Sequence, residues 1–443
     1  MSKPNIILFI ADDMRFDSSG FGGNDLMKTP NLDKLASHGV VFDNNFVTTS
    51  ICCVSRASIM SGEYALRHGV YDFDDDMNPF SLENSFPVRL RNAGYHTGFV
   101  GKWGFGKGPK ELFDQWYGYD GQGDYYAPGS TEHLTDVQTE QALDFLKCRP
   151  DDKPFLLIIS YKAPHGPFMP QEKFSALYEQ ITIPRAKSDT PEAASQVLPL
   201  LQQSLGYVNY KLKIGADEIA YQDRMGKYYG LIAGLDESVG KILSFCDDKN
   251  LRSKSTILFT SDNGLLHGEH GLIGKWCMYE ESIRVPLIIS PAKDLFASIP
   301  PTRIKAISLN IDIAPTILSM ANVPVPSNVE GNSLLPLLQD STPGWREGFY
   351  YEHPTMDAVN IVGCDGYRSE EWKYTRYFKG SDYNECLFNL ANDPMEFANL
   401  AGQTEFESVL SYLRNLTAKE KTKFKGPLDN MLEKYSQGAS PAP

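Results

Sequence analysis

The 443-residue chain is predicted to adopt an α/β fold, in which helices flank a mostly parallel central sheet and a small antiparallel subdomain follows. Three observations predict this fold. Apolar runs of strand length alternate with helical segments up to about residue 345. Polar residues come directly after several of these runs, as they do at the carboxyl ends of parallel strands. Beyond residue 345, short aromatic strands separated by turn residues replace the alternating pattern.

The first strand and the first two helices are predicted near the N-terminus. NIILFIADD (5–13) is a continuous apolar run that ends in two acids, which is typical of a parallel strand buried on both faces. TPNLDKLASHG predicts a short helix, with Thr29 as N-cap, Pro30 at the first position and Gly39 at the end. SRASIMSG predicts another helix, with Cys52 at or just before its first residue.

The pattern then repeats along the chain. The predicted elements are a strand at 96–100 with a glycine-rich loop after it, a helix at 135–147, a strand at 155–161, a helix at about 223–246, strands at 256–264 and 284–290, and a helix in NIDIAPTILSMAN. Residues 170–222 have weak periodicity and are interpreted as an insertion near the mouth of the site. We therefore expect a catalytic α/β domain over residues 1–344 and a smaller α+β subdomain with antiparallel strands over 345–443.

Composition and charge exclude several classes of protein. The formal net charge of -14 argues against non-specific binding of nucleic acid and against a basic membrane-surface protein. No apolar run is long enough to span a bilayer. The seven cysteines are odd in number and mostly scattered, which does not suit a disulfide framework, and no CxxC zinc motif occurs. MSKPN leads directly into the first strand without a signal peptide, so a cytoplasmic location is expected for the chain as it stands and a periplasmic or secreted one for a trimmed precursor.

Polar residues that could form a site follow four of the predicted strands. Asp12 and Asp13 end the run at 5–13, and Asp262 and Asn263 come after ILFTS in the run at 256–264. Lys102 and His165 come after the strands at 96–100 and 155–161. Oxygen ligands from two strand ends indicate a hard divalent cation such as calcium or magnesium. Each motif alone has a simpler interpretation, since acids at strand ends often cap helices and SDNG often forms a turn. Their joint occurrence favours the metal site.

CCVSRASIMSG resembles the signature of the type I (formylglycine-dependent) sulfatases, which belong to the alkaline phosphatase superfamily. NIILFIADDMRFD, GYHTGFVGKWG, APHGP, SDNGLLHGEHGLIGKWCMYEESIRVP and CLFNLANDPMEFANL resemble the other blocks of that family, in the family's order. The resemblance covers nearly the whole chain. The blocks are similar in style to those of bacterial members that act on sulfated glycans.

This resemblance implies an alkaline-phosphatase-like fold and a set of site residues. Cys52 stands where the family oxidises a cysteine to formylglycine, whose hydrate is the nucleophile. The conversion requires a formylglycine-generating or anaerobic maturase enzyme as a partner. Arg56 matches the arginine that holds the hydrate. Calcium is the implied metal, and magnesium is the second choice. The residues that match its ligands are Asp12, Asp13, Asp262, Asn263 and the modified Cys52.

The implied activity is that of a sulfuric ester hydrolase that removes sulfate from a sulfated poly- or oligosaccharide. Lys102, His165 and Lys275 match residues that bind the sulfate and assist departure of the alcohol. His165 is the expected general acid, because an alkoxide leaves poorly without a proton. His353, with Arg368 and Arg376, could line a sugar subsite or could be structural. The oligomeric state, the sugar and the sulfate position stay open.

Two positions depart from the family pattern. Val54 occupies the proline position of the signature, which bears on recognition by the maturing enzyme. Gly104 stands where the family usually has a histidine that deprotonates the hydrate, and His267 and His270 are candidates to replace it. Two alternatives remain. One is a phosphonate monoester or phosphodiester hydrolase of the same superfamily, which shares the metal and nucleophile blocks, and the other is a non-catalytic binder of sulfated glycans, which these two departures suggest.

Overall fold

The structure of the protein is a computed structural model that describes residues 3–341 and 344–424. Its strands are β1 Asn5–Ala11, β2 Val40–Phe42, β3 Asn45–Phe46, β4 His96–Lys102, β5 Gln115–Tyr119, β6 Phe155–Ser160, β7 Ser255–Ser261, β8 Leu266–His267, β9 Ile273–Gly274, β10 Leu287–Ser290, β11 Thr302–Ile304, β12 Ser308–Leu309, β13 Gly348–His353, β14 Gly363–Ser369, β15 Trp372–Lys379 and β16 Asp382–Asn389. Its α-helices are α1 Pro30–His38, α2 Cys52–Ser61, α3 Ala65–His68, α4 Pro79–Asn84, α5 Phe86–Asn92, α6 Leu134–Cys148, α7 Glu172–Ser175, α8 Pro191–Ser195, α9 Leu205–Lys213, α10 Glu218–Asp248, α11 Glu280–Ile283, α12 Ile313–Met320, α13 Leu335–Leu338 and α14 Glu407–Phe424.

The central sheet has eight strands in the order β11-β2-β10-β7-β1-β6-β4-β5. All neighbours pair in parallel except at β10, which is antiparallel to both β2 and β7. β1 lies between β6 and β7 and is buried along its whole length. The predicted mostly parallel sheet is therefore confirmed, with the strand predicted at 284–290 as its one reversed member.

Two apolar layers cover the faces of this sheet. Alternate residues of β1 point to opposite faces, as the two-residue period of a strand requires. Ile7 and Phe9 pack with residues of α1, α6 and α10, whereas Ile6 and Leu8 pack with residues of α2, α5 and α12. Burial on both faces explains why the sequence of β1 is continuously apolar rather than alternating.

A second sheet lies in the C-terminal part of the chain. β13, β14, β15 and β16 form an antiparallel meander, and α14 packs on it through Leu410 and Leu413. This confirms the predicted small antiparallel sheet. The division of the chain at residues 344 and 345 stays a prediction, and residues 425–443 of the expected subdomain lie outside the described residues.

The helix boundaries add detail to the sequence-based expectation. α1 begins at Pro30 and ends before Gly39, as predicted. α10 is longer than expected, because the Asp217 side chain accepts a hydrogen bond from Ala220 N and starts the helix five residues earlier than 223. The segment 170–222 contains α7, α8 and α9. Within the described residues, no helix is long and apolar enough to cross a membrane.

Candidate active site

The candidate site lies at the carboxyl edge of the central sheet. Asp12 and Asp13 follow β1, Asp262 follows β7, His165 lies in the loop after β6, and Lys102 is the last residue of β4. These four strands are neighbours in the order β7-β1-β6-β4, and they run in the same direction. Their carboxyl ends therefore meet at one place, which brings together residues up to 250 positions apart in sequence.

Helix α2 places Cys52 at the centre of this edge. The helix begins at Cys52, and all ten of its residues are buried. Ile51, which precedes it, has no side-chain oxygen to cap the first amides, so the positive end of the helix dipole faces the site. The Cys52 Sγ lies 3.3 Å from Asp12 Oδ1 and 2.7 Å from Lys275 Nζ.

Oxygen donors surround Cys52. One ligand atom each from Asp12, Asp13, Cys52 and His165 lies within 4.8 Å of the others. Asp262 Oδ1 accepts a hydrogen bond from the Asp13 amide at 3.1 Å. Asn263 is fully buried, and its Oδ1 has no hydrogen-bond partner among the described residues. A buried oxygen without a donor beside three carboxylates fits the coordination of a hard cation.

Three cationic side chains face the three carboxylates. Lys102 Nζ lies 2.7 Å from Asp12 Oδ2, and Lys275 Nζ pairs with Asp13. Arg56 lies 2.8 Å from Asp262 Oδ2 and 3.3 Å from Asp12 Oδ2. The Arg56 guanidinium also donates to the carbonyl oxygen of Lys102 at 3.1 Å. This dense pairing holds Arg56 in a single position beneath Cys52.

Burial and these charges shift several pKa values. Burial alone would raise the pKa of Asp12, but Lys102, His165 and Arg56 together hold it well below its usual value. Burial, with Asp12 nearby, raises the pKa of Asp262 to about 7. Burial also raises the pKa of the Cys52 thiol well above its usual value, and Asp12 adds to the effect. The unmodified thiol is therefore protonated at neutral pH and is a weak nucleophile.

His165 lies at the open side of the site. Its side chain is 22% exposed, and its Nε2 lies 3.7 Å from Asp13 Oδ2. The ring Nδ1 lies 2.6 Å from the carbonyl oxygen of Gly166, which can only accept, so Nδ1 carries a hydrogen. Nε2 is then the nitrogen that faces the site, and it gains or loses the second proton.

Lys162 and Gln122 belong to the site but were missed in the sequence. Lys162 is only 2% exposed, and its Nζ donates to the carbonyl oxygen of Gln122 at 3.1 Å. The Gln122 side chain in turn accepts from Lys102 Nζ at 2.6 Å. Lys162 could have been recognised as a site residue from its position in KAPHGP, shortly after the end of β6. Gln122 has no such signal, because its loop lies 20 residues after Lys102.

The structure gives a physical reason for glycine at position 104. Gly104 has a φ of +95°, and a Cβ there would lie 2.5 Å from Arg56 Cδ. Any side chain would therefore displace Arg56. The two candidate replacements for the family histidine pack on aromatic rings, His267 at 4.4 Å from Tyr228 and His270 at 4.1 Å from Tyr279. Their role as a base stays a prediction.

The predicted sugar-subsite residues have different surroundings. His353 is buried at the end of β13, where its ring Nδ1 lies 2.8 Å from the carbonyl oxygen of Pro354. Arg368 pairs with Glu280 at 3.1 Å, and Arg376 pairs with Asp365 at 2.8 Å. The two arginines thus have structural partners, whereas the Nε2 of His353 has none among the described residues.

Comparisons with known proteins agree with this architecture. A family model described as sulfatase matches residues 4–323, and one described as N-sulphoglucosamine sulphohydrolase, C-terminal, matches residues 268–423. The chain is 29% identical to an N-acetylglucosamine-6-O-sulfatase of Bacteroides thetaiotaomicron, with 96% of this chain and 87% of the relative covered. A solved structure described as a complex with its substrate D-glucosamine-2-N,6-O-disulfate has a TM-score of 0.85 at 27% identity, with 96% and 98% covered. A phosphonate monoester hydrolase of Agrobacterium radiobacter shares the fold, with a TM-score of 0.81 at 21% identity and 95% and 96% covered.

A mostly parallel sheet that gathers acids and cations at its carboxyl edge around a helix N-terminus defines a hydrolase of the alkaline phosphatase superfamily. The sulfatase family model covers more than half of the chain. This chain belongs to the sulfatase family, and it is a sulfuric ester hydrolase.

Proposed function

We propose that the enzyme removes sulfate from a sulfated carbohydrate, using a formylglycine made from Cys52 and one bound calcium ion. The observation that carries this proposal is the position of Cys52, between Asp12 and Lys275 at the start of α2. Its Sγ occupies the place that the oxygens of a formylglycine hydrate would take. Because burial keeps the thiol protonated, the unmodified side chain is poorly suited to attack, which supports the conversion.

The residues that would hold the ion are Asp12, Asp13, Asp262, Asn263 and the modified Cys52. All of their donor atoms are oxygens, which favours a hard cation. The buried Asn263 Oδ1 without a hydrogen-bond partner supports this assignment. Calcium is preferred to magnesium, because calcium accepts more protein ligands and less regular geometry. When bound, the ion supplies positive charge that stabilises the oxygens of the reacting group.

The other side chains have separate tasks. The hydrate supplies the oxygen that attacks sulfur. Lys102 and Lys275, both buried, bind the sulfate oxygens and offset their charge in the transition state. Arg56 fixes the position of the modified residue through Asp12 and Asp262. His165 protonates the departing alcohol through Nε2, which faces the site from its partly exposed side.

A carbohydrate is the proposed source of that alcohol. The relatives described above include an N-acetylglucosamine-6-O-sulfatase and a structure whose substrate is D-glucosamine-2-N,6-O-disulfate. Both matches extend over almost the whole of this chain. We assign the catalytic function to residues 1–344 and a supporting function to 345–443, whose β13 carries Tyr351 to within 3.1 Å of the Ser50 amide, two residues before Cys52.

The test compares protein made with and without a formylglycine-generating enzyme. Mass spectrometry of the peptide that contains Cys52 measures the conversion, and release of sulfate from 4-nitrophenyl sulfate and N-acetylglucosamine 6-sulfate measures activity. We expect activity only in the converted protein, loss of activity with a chelator, and recovery with calcium. Converted, calcium-loaded protein that releases no sulfate from either compound would contradict the proposal and favour a non-catalytic glycan binder. An unconverted Cys52 would instead point to Val54 as a barrier to maturation.

Hydrolysis of a phosphonate monoester or phosphodiester is the second candidate function. Two observations favour this second function. The phosphonate monoester hydrolase shares the fold, and the charge pattern of the site suits phosphoryl as well as sulfuryl oxygens. Parallel assays on sulfate and phosphate esters of one phenol separate the two functions. We expect a higher kcat/KM for the sulfate ester, and a large preference for the phosphodiester would reverse the assignment.

A further inference from the structure

We infer that Arg224 and His267 form a second anion subsite beside the sulfate site. In this subsite they bind a carboxylate or a second sulfate group carried by the alcohol portion of the substrate. The inference rests on the proposed function, since it concerns the part of the substrate that leaves. It adds to that function a requirement for a second negative charge.

The position of Arg224 connects it to the candidate metal site. Arg224 lies on α10, and its guanidinium carbon lies 4.7 Å from the centre of the Phe168 ring. The Phe168 ring lies 5.6 Å from that of Tyr228, whose hydroxyl donates to the Asp13 carbonyl oxygen at 2.8 Å. Phe168 is also only three residues after His165. Two adjoining aromatic rings therefore separate the guanidinium from a predicted metal ligand.

His267 packs on the same aromatic pair. Its ring lies 4.4 Å from Tyr228 and 6.4 Å from Phe168. The residue is only 2% exposed, yet neither ring nitrogen has a hydrogen-bond partner among the described residues. The buried Nε of Arg224 likewise has no partner in the part of the chain that the structure describes. Unpaired buried donors are rare in native proteins, and here two side chains that share one aromatic wall have them.

A neighbouring arginine shows the contrasting arrangement. Arg15 lies in the same region, where its side chain pairs with Asp17 at 2.8 Å and with Glu269 at 2.5 Å. Arg15 is therefore satisfied within the protein. Burial without such a pair lowers the pKa of Arg224 to about 10, despite the favourable charge of Asp13. Among the residues that the structure describes, Arg224 thus has aromatic packing but no carboxylate partner.

The chemistry of the two side chains defines the ligand. A guanidinium presents paired donors that match a carboxylate or a sulfate. Burial, with Arg224 and Arg15 nearby, lowers the pKa of His267, so the ring is neutral and can donate one hydrogen bond. A cationic ligand would meet a guanidinium without a carboxylate partner among the described residues. An anionic group would satisfy both side chains at once.

The experiment uses the converted, calcium-loaded enzyme and two matched pairs of sugar sulfates. The sulfate pair is N-acetylglucosamine 6-sulfate and N-sulfoglucosamine 6-sulfate, and the carboxylate pair is glucose 2-sulfate and glucuronic acid 2-sulfate. Each compound is tested as a competitive inhibitor of 4-nitrophenyl sulfate hydrolysis, which measures binding even where the sugar is not turned over. In one pair, we expect the doubly charged member to bind about 10- to 100-fold more tightly, the range of charge-assisted hydrogen bonds. The pair that shows the difference identifies the anion.

Variants then assign the difference to the subsite. Arg224→Gln should remove most of the preference while changing kcat/KM for 4-nitrophenyl sulfate by less than about threefold, because that compound has no second anion. Arg224→Lys keeps the charge but not the paired donors, so it should remove part of the preference for the doubly charged sugar. This variant replaces Arg224→Gln in the test if Arg224→Gln does not fold. His267→Gln should also reduce the preference for the doubly charged sugar. Lys227→Gln is the matched control, since Lys227 lies on the same helix and pairs on the surface with Asp223.

Three outcomes would overturn the inference. The first is a wild-type enzyme that binds both members of each pair equally. The second is an Arg224→Gln variant that weakens binding of both members to the same extent, which would assign Arg224 to packing on Phe168. The third is a wild-type enzyme that releases sulfate from neither 4-nitrophenyl sulfate nor N-acetylglucosamine 6-sulfate. Only that third result counts against the proposed function, and it removes the basis for the subsite as well.

Discussion

Two of the buried clusters of charged residues in the described part of the chain differ in what surrounds them. The cluster at the proposed active site, here named the catalytic cluster, consists of Asp12, Asp13, Asp262, Arg56, Lys102 and Lys275. The interface cluster, between the catalytic core and the C-terminal sheet, consists of Glu280, Glu396, Arg368 and Lys373. Both contain carboxylates and cations at hydrogen-bonding distance. Charge and burial alone therefore do not distinguish a functional site from a structural one.

The difference lies in whether the cluster is closed. In the interface cluster all four side chains are buried, and Lys373 Nζ lies 2.9 Å from Glu280, 2.7 Å from Glu396 and 2.8 Å from the Met278 carbonyl oxygen. Beside the catalytic cluster, Asn263 Oδ1 lacks a donor among the described residues, and His165 opens to solvent. A buried cation enclosed by acceptors joins two parts of a fold. An unpaired oxygen beside an opening has room for an ion and a substrate.

Removal of the nucleophile should give the largest effect. We expect Cys52→Ala to lower kcat for 4-nitrophenyl sulfate by at least about 10³-fold, because the attacking oxygen would be absent. The melting temperature should change little, since only the terminal atoms of one side chain are lost. Cys53→Ala is the control, because Cys53 is equally buried and adjacent in α2. Loss of activity in the Cys53 variant and its retention in the Cys52 variant would contradict the assignment.

A matched pair of lysine variants tests the comparison of the two clusters directly. Lys373→Met should lower the free energy of unfolding by about 3–5 kcal/mol, because it leaves Glu280 and Glu396 buried without their shared cation. Lys102→Met should lower kcat by about 10²- to 10³-fold, as removal of one donor to a developing charge does elsewhere. Its cost in stability should be smaller when calcium is present, since the ion and Arg56 still face Asp12.

Urea unfolding and steady-state kinetics of the two variants, each with added calcium, provide the measurements. The comparison fails if Lys373→Met lowers kcat as strongly as Lys102→Met at temperatures where both are folded. It also fails if the two variants lose equal stability. Either result would mean that the interface cluster takes part in the reaction or that the catalytic cluster is mainly structural.

Much of this architecture could be predicted from local sequence patterns. The apolar run of β1 and the acids after it located both a central strand and part of a group of residues that could hold a metal ion. The helix signal in SRASIMSG placed Cys52 correctly at the start of α2. These predictions succeeded because strand ends in a parallel sheet converge whatever the intervening sequence is. The reversed direction of β10 was not predicted, since the apolar pattern of a strand does not encode its direction.

The remaining site residues depend on contacts between distant segments. Gln122 reaches Lys102 from a loop without a motif, and Arg224 packs on Phe168 from the second turn of a long helix. Neither has a neighbour in sequence that indicates its role. The close approach of Gly104 to Arg56 is likewise a product of tertiary packing. Such contacts are invisible to periodicity and spacing, which describe one element at a time.

Position 104 offers a test of this packing. We expect Gly104→Ala to lower kcat by more than about tenfold, because the new Cβ would move Arg56 away from Asp12 and Asp262. Gly104→His, which restores the residue usual in the family, should impair the enzyme as well. Gly129→Ala is the matched control, since Gly129 has a similar φ of +80° and no atom within 4 Å of the new Cβ. It should cost about 1–2 kcal/mol in stability and leave kcat unchanged. An active Gly104→His variant would show that Arg56 can move without loss.

The smallest effect is expected at Lys162, which acts through another residue. Lys162 holds the backbone of Gln122, and the Gln122 side chain holds Lys102. Lys162→Met should therefore lower kcat about three- to tenfold with little change in KM, because Lys102 would be less well positioned in the transition state. Gln122→Ala should have a similar effect, and the double variant should be no worse than either single one, since all three break the same connection. Additive losses in this double-mutant cycle would mean that Lys162 contacts the substrate itself rather than positioning Lys102.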